Sequence, residues 1–280
     1  MIVYRTKSDL SGHLLSLQNE GKTIGLVPTM GALHNGHASL VEIANAENDV
    51  VVVTIFVNPT QFNDRSDLDH YPRTLDQDLD LLRKLEADLV FVPSVKEMYP
   101  EEDGQTFDLG GLDKVMEGKH RKGHFNGVAQ IVSKLFLLIR PHRAYFGLKD
   151  FQQLVVIRKL VKIMDLDLSI IPCPIIREKD GLAMSSRNTR LSKEERKLAP
   201  FIYETLLQAS EKTEDLTPSQ LKEWVTLQFE MQSELKLEYF EIVEDKGLMP
   251  IEEWDEKVNK VGCLAVQLGE VRLIDNLNFD

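Results

Sequence analysis

The chain has 280 residues, 42% of them hydrophobic and 28% charged, and a formal charge of −12 at neutral pH. That is the composition of a globular protein able to bury a full core, in one large domain or two of ordinary size, and its negative balance argues against nucleic acid as a partner. No stretch approaches the ~20 uninterrupted apolar residues of a membrane helix, and the start "MIVYRTKSDL" lacks the basic-then-apolar layout of a secretion signal, so a cytoplasmic protein with no membrane partner is expected.

In chain order, Lys22 to Val27 and Val50 to Val57 ("VVVVTIFV") read as strands, the second apolar on both faces as in a buried parallel strand. Gly36 to Asn45 can hold a helix between them. Thr74 to Ala87, with leucines 75, 79, 82 and 85 at helical spacing, precedes a strand at Asp88 to Val92. An apolar helix from Val128 to Arg140 stops at Pro141, followed by a strand at Ala144 to Phe146, a helix from Phe151 to Met164 and a strand at Leu168 to Ile171. This alternation predicts an α/β fold, a doubly wound parallel sheet with its ligand crevice at the carboxyl ends of the strands.

The pattern changes after residue 177. "LSKEERKLAPFIYETLLQAS" reads as one helix capped by Ser192 with Glu195 three positions on, and a second follows "LTPSQ" with Pro218 in its first turn. Strand-like runs follow at Leu237 to Val243, Gly262 to Leu268 and Glu270 to Asn276. The expectation is therefore a doubly wound parallel-sheet domain over 1–177 and a smaller α+β domain over 178–280. Cys173 and Cys263 stand far apart without CxxC spacing and read as buried apolar residues. Acidic residues clustered at metal-loop spacing are absent, so no protein-held metal is expected.

His34 and His37 fall where the chain leaves the first of these strands, turns through Thr29-Met30-Gly31 and enters a helix. Free N–H groups and the dipole at a helix N-terminus favour anions, and an adjacent imidazole can donate to phosphate oxygens. Chance placement on a surface or in a core is the duller reading; a zinc site lacks accompanying ligands, and Gly25, Gly31 and Gly36 do not form GxGxxG. Basic residues concentrate in "KHRKGH", "GLKD" and "SSRNTR", each of which could equally be a solvated face.

HxGH after a first strand resembles the signature of the nucleotidyltransferase and class I aminoacyl-tRNA synthetase superfamily. Closer still, "VPTMGALHNGH", "IFVNPTQF", "YPRT", "RKGHFNGV", "FGLKDFQQL", "SSRN" and "RLIDN" occur in the order and spacing of the pantothenate synthetase (pantoate–β-alanine ligase) family. The resemblance covers nearly the whole chain. It implies a Rossmann-like, HxGH-type fold, a homodimer, and ATP-dependent condensation of (R)-pantoate with β-alanine through a pantoyl adenylate, releasing AMP and pyrophosphate. Magnesium would arrive on the ATP phosphates.

By the same resemblance Met30 to His37, including Gly31, would contact ATP, with His34 and His37 on its phosphates and His37 as proton donor. Gly147, Leu148, Lys149 and Asp150 would hold the nucleotide, Lys149 on phosphate and Asp150 on ribose; Leu148 stands where the family commonly has glutamate. Ile176 would meet the adenine through its backbone. Met184, Ser185, Ser186 and Arg187 resemble a shortened KMSKS loop, Arg187 neutralising departing pyrophosphate. Gln61 and Gln153 would bind pantoate, with Asn58 on the same side. Arg121 and His124 are further candidates for the pantoate and β-alanine region, on a loop that reads equally well as a solvated basic segment. The resemblance thus places the catalytic work on His34, His37, Lys149 and Arg187.

Overall fold

Four consecutive valines open the strand at the middle of the large sheet, and they divide alternately between two cores: Val50 and Val52 face one, Val51 and Val53 the other. The computed structural model describes residues 1–255 and 257–279. The chain runs β1 (Ile2–Tyr4), α1 (Lys7–Asn19), β2 (Ile24–Thr29), α2 (Asn35–Glu47), β3 (Val50–Ile55), α3 (Arg65–Asp69), α4 (Leu75–Lys84), β4 (Leu89–Phe91) and α5 (Val95–Met98). It continues through α6 (Met116–His120), α7 (His124–Ile139), β5 (Arg143–Gly147), α8 (Phe151–Ile163) and β6 (Ser169–Cys173).

These six strands form one sheet in the order β1-β4-β3-β2-β5-β6, parallel throughout. One face is covered by α1, α7 and α8, which supply Leu14, Ile131, Phe136 and Leu154 to its core; α2 and α4 supply Val41 and Leu82 to the other. From β2 the chain steps outward to β3 and β4, then returns to lay β5 on the other side of β2. The carboxyl ends of β2 and β5 diverge there, which is the switch point where such sheets open a ligand crevice.

Beyond the sheet come α9 (Lys193–Leu198), α10 (Phe201–Ser210), α11 (Pro218–Glu230) and an antiparallel sheet of β7 (Leu235–Glu244), β8 (Lys260–Leu268) and β9 (Val271–Asn278). They share a core containing Leu206, Val225, Ile242 and Val266. The expected cap, Ser192 with Glu195, is present, and Pro218 stands in the first turn of α11 as expected; the structure adds a second capping box there, Thr217 with Gln220.

Several elements differ from expectation. The single helix read across Leu191 to Ser210 is two, α9 and α10, because Pro200 lacks an N–H and crowds the preceding turn. α7 starts at His124 rather than Val128, on Gly123 in the left-handed conformation (φ 81°). β1 and α1 had no sequence signal: three residues are too few for a period, and α1 buries only Leu10 and Leu14.

Candidate active site

The crevice is built first by the histidine pair. His34 is the N-cap of α2, its Nδ1 accepting the Gly36 N–H at 3.1 Å; His37 Nδ1 accepts the His34 N–H at 3.3 Å. The two rings lie 4.1 Å apart. A side chain at Gly36 would place its Cβ 2.9 Å from the His34 ring, so the capping imidazole needs glycine there. Since each Nδ1 accepts from a backbone N–H, each Nε2 must carry the ring proton when the imidazole is neutral. Burial, then Lys149 and in His37 also the neighbouring ring, depresses the pKa to about 4 for His34 and about 3 for His37. The expected anion site is thus modified: the Gly36 N–H is consumed by the cap, and two neutral Nε2–H donors take its place.

The 3-10 turn Leu148–Asp150 follows β5 across the crevice. Lys149 lines it and makes no ion pair among the described residues, so its charge remains available. Gly147 also lines it; a Cβ built there meets nothing within 4 Å, which leaves room for a ligand. Arg187 enters from the far side on the 3-10 turn Ser186–Arg190 and is clamped by Asp67 of α3 at 2.7 Å, with Arg190 on the same carboxylate at 2.9 Å. Ser186 donates to the Ala32 carbonyl at 3.0 Å, docking this turn on the loop ahead of His34. Ile176 and Met184 are tied together, the Met184 N–H donating to the Ile176 carbonyl at 3.0 Å.

Between the sheet and α7 the cavity wall is apolar, formed by Pro28, Phe56, Val128, Ile131, Leu135 and Phe146, and Gln61 and Gln153 add polar amides to the same lining. Gln61 is oriented by its neighbours: Asn58 Nδ2 donates to Gln61 Oε1 at 3.1 Å, leaving the amide N–H₂ turned to Met30 Sδ at 3.1 Å. α7 approaches the Pro59–Gln61 turn so closely that a Cβ on Gly127 would sit 2.1 Å from the Thr60 carbonyl oxygen. Gln152, beside Gln153, faces away from this cavity and bonds the Leu112 and Val115 carbonyls.

Most of the expected residues therefore converge: Met30, His34, His37, Asn58, Gln61, Gly147, Lys149, Asp150, Gln153, Ile176 and the run Met184 to Arg187 line one cavity. Four sit differently. Gly31 shapes the β2 exit, with φ 80° and its N–H on Thr29 Oγ1. The Leu148 side chain packs into the core rather than the crevice. His124 is buried with Nδ1 donating to the Gln61 carbonyl at 2.7 Å and Nε2 accepting from Arg121 at 3.2 Å, so both its nitrogens are engaged. Arg121 belongs to a neighbouring polar cavity that shares Lys149, Asp150 and Arg187 with the first.

Sequence reasoning assigned no role to Thr54, Tyr71 or Asp67. Thr54 Oγ1 is buried at the cavity with no hydrogen-bond partner among the described residues, and Tyr71 lies under the Arg187 guanidinium at 5.4 Å. "YPRT" marked Tyr71 as part of a motif; nothing local marked Asp67, which meets Arg187 across 120 residues of chain.

A parallel sheet carrying two imidazole donors and an unpaired lysine at its switch point is a nucleotide-binding α/β protein of the HxGH type. The profile of the family described as Pantoate-beta-alanine ligase matches residues 2–278, and the chain belongs to that family. It is 52% identical over 280 residues to a pantothenate synthetase of Porphyromonas gingivalis, covering all of both chains. To that of Phocaeicola vulgatus it is 54% identical, covering all of this chain and 99% of the other. The crystal structure of pantothenate synthetase from Thermus thermophilus superposes with a TM-score of 0.93 at 40% identity, covering 100% and 99% of the two chains. The Francisella tularensis pantoate-β-alanine ligase, solved with β,γ-ATP and β-alanine, gives 0.84 at 38% identity, covering 100% and 98%.

Proposed function

We propose that the chain is an AMP-forming ligase that joins (R)-pantoate to β-alanine. In the first half-reaction a pantoate carboxylate oxygen attacks the α-phosphorus of ATP and pyrophosphate leaves; in the second the β-alanine amine attacks the acyl carbon of the pantoyl adenylate, forming the amide and releasing AMP. Positioning and charge stabilisation carry both halves. The observation that supports this most directly is that two neutral Nε2–H donors and Lys149, which makes no ion pair among the described residues, line one cavity with an apolar wall and two glutamines.

In this reading His34, His37 and Lys149 would hold the triphosphate and stabilise charge as the α-phosphorus is attacked, while Arg187 would take the departing pyrophosphate. The apolar wall would receive the gem-dimethyl carbon of pantoate, with Gln61 and Gln153 bonding its oxygens. Asn58, His124 and Arg121 would act on Gln61 and its turn, since their hydrogen bonds run to that turn and its supports. Mg²⁺ would enter on the ATP phosphates, keeping waters as it usually does. The donor set fits that role: cationic and imidazole groups face the phosphate region, Asp150 is the exposed carboxylate beside it, and no group of three or more metal-binding side chains occurs among the described residues.

Residues 178–280 would form a lid that carries Arg187 and excludes water from the adenylate. A homodimer, implied by the family resemblance, is read by light scattering of the purified protein. No helix among the described residues is long and apolar enough to cross a membrane, and a cytoplasmic location is proposed from the buried free thiols of Cys173 and Cys263 and the need for ATP.

Pantoate-dependent exchange of labelled pyrophosphate into ATP, without β-alanine, tests the reading. Exchange should require pantoate and fall about 10²-fold or more in His37→Ala. Native protein that binds ATP yet exchanges nothing would overturn it in favour of a transferase or a silent nucleotide-binding module.

A further inference from the structure

The two cationic arms of the crevice come from different segments, Lys149 from the turn after β5 and Arg187 from the turn that follows β6, and no hydrogen bond among the described residues joins the two side chains. Both are suspended from two consecutive residues of β9. Asn276, 6% exposed, donates through Nδ2 to the Leu148 carbonyl at 2.9 Å and to the Lys149 carbonyl at 3.0 Å. These are carbonyls of the 3-10 turn that aims Lys149. Asp275, 3% exposed, accepts both Arg177 guanidinium arms at 2.5 and 2.9 Å and its own following N–H at 2.8 Å. Arg177 starts the hairpin that pairs with Ala183 and leads directly into Met184 to Arg187. The same guanidinium bonds the Gly181 carbonyl at 3.1 Å and lies 3.6 Å over the Tyr203 ring, so the hairpin is gripped at its base and at its tip.

From this arrangement we infer that Asp275 and Asn276 are positioning residues that set the spacing between Lys149 and the Arg187 turn, so that one triphosphate can meet both. The inference rests on the ATP-binding reading of the crevice. Neither side chain touches the reacting atoms; Asn276 acts through the Lys149 backbone, Asp275 through Arg177. Buried amide donors shared by two adjacent carbonyls fix a turn's orientation in a way packing alone does not, because each unmet carbonyl would carry a desolvation cost. Adjacent residues of one strand have a fixed separation, which makes β9 a ruler between two otherwise independent loops. The "RLIDN" run near the carboxyl end of the chain thereby acquires a task.

The test uses Asn276→Ala and Asp275→Asn in the full chain, followed by pyrophosphate exchange with ATP and pantoate varied separately. A misplaced phosphate grip should raise the KM for ATP about tenfold or more while the KM for pantoate stays within about twofold of native. In a Lys149→Ala background, Asn276→Ala should add almost nothing, since its effect runs through that lysine. The inference is overturned if folded variants keep native KM for ATP, if both KM values rise together, or if the Asn276 and Lys149 losses multiply independently. Should Asn276→Ala fail to fold, Asp275→Asn, which keeps the side chain's size, carries the test. Failure of the native chain to exchange at all would count against the ligase reading instead, so the two failures are distinguishable.

Discussion

His34 and His37 do two jobs with one ring each: Nδ1 accepts at the cap of a helix, and that bond leaves the proton of the neutral ring on Nε2. Capping by imidazole is only possible while Nδ1 is unprotonated, so protonation would break the cap and add charge beside Lys149. The sign follows. Both folded-state values, about 4 and about 3, lie below the ordinary 6.5, so the unfolded chain binds protons first, and the stability these rings contribute is complete above pH 6.5 and is lost as the pH falls through about 4 toward 3. NMR titration of the two imidazoles should show no protonation between pH 8 and 5; a midpoint near 6.5 for either would overturn this account. His124 stands in the same case, held near 4 by burial and by Arg121, and its role is to support the Gln61 turn.

At the scale of elements, the approach of α7 to the Pro59–Gln61 turn decides where pantoate would lie. Gly127 permits it, and Gly127→Ala would force helix and turn apart against the Thr60 carbonyl. Overpacking of this kind costs about 1–3 kcal/mol, and a shift of about 1 Å in Gln61 could cost up to about 10²-fold in rate. The expected signature is a raised KM for pantoate with an unchanged KM for ATP, read from initial rates alongside thermal melts. Equal change in both constants would mean that the contact is only structural. Little of this contact was legible beforehand. "NPTQF" marked Gln61, but α7 was expected to begin four residues late, because His124, Phe125 and Asn126 carry no helical periodicity and Gly123 starts the helix by its backbone conformation rather than by a capping side chain.

Across the whole molecule, the C-terminal sheet is joined to the preceding part of the chain by a buried ion pair on Arg272 of β9 as well as by Asp275 and Asn276. Glu117 of α6 is buried, takes both arms of Arg272 at 2.6 Å and accepts the Tyr239 hydroxyl at 2.8 Å. Its burial opposes ionisation, but Arg272 outweighs this and holds the carboxyl down to about 2. This stabilisation is present above the ordinary carboxylate value of 4.5 and is lost as the pH falls toward 2. Glu117→Ala leaves Arg272 without its buried partner and should cost about 3–5 kcal/mol, measured by urea unfolding at pH 7; a loss below about 1 kcal/mol would show the pair to be a surface contact in effect. If residues 178–280 act as the proposed lid, Arg187→Ala should raise release of AMP without pantothenate, because water would reach the adenylate, and unchanged leakage together with unchanged ATP affinity would remove Arg187 from that task.

Contiguous residues determined what could be read early. Valines 50 to 53, the leucines of α4, the capping pair at Ser192 and the first-turn Pro218 specify strands, helices and their ends because periodicity and caps are local properties of the chain. Alternation of those elements was enough for a parallel sheet, and HxGH at a strand exit was enough to put both imidazoles in the crevice. Tertiary structure alone decided the strand order that opens the crevice between β2 and β5, the meeting of Asp67 with Arg187, and the suspension of Lys149 from Asn276, 127 residues away. It also decided the protonation of the histidines, since their depressed pKa values come chiefly from burial. Burial and long-range pairing depend on how distant segments close on one another, and no local pattern along the chain encodes that closure.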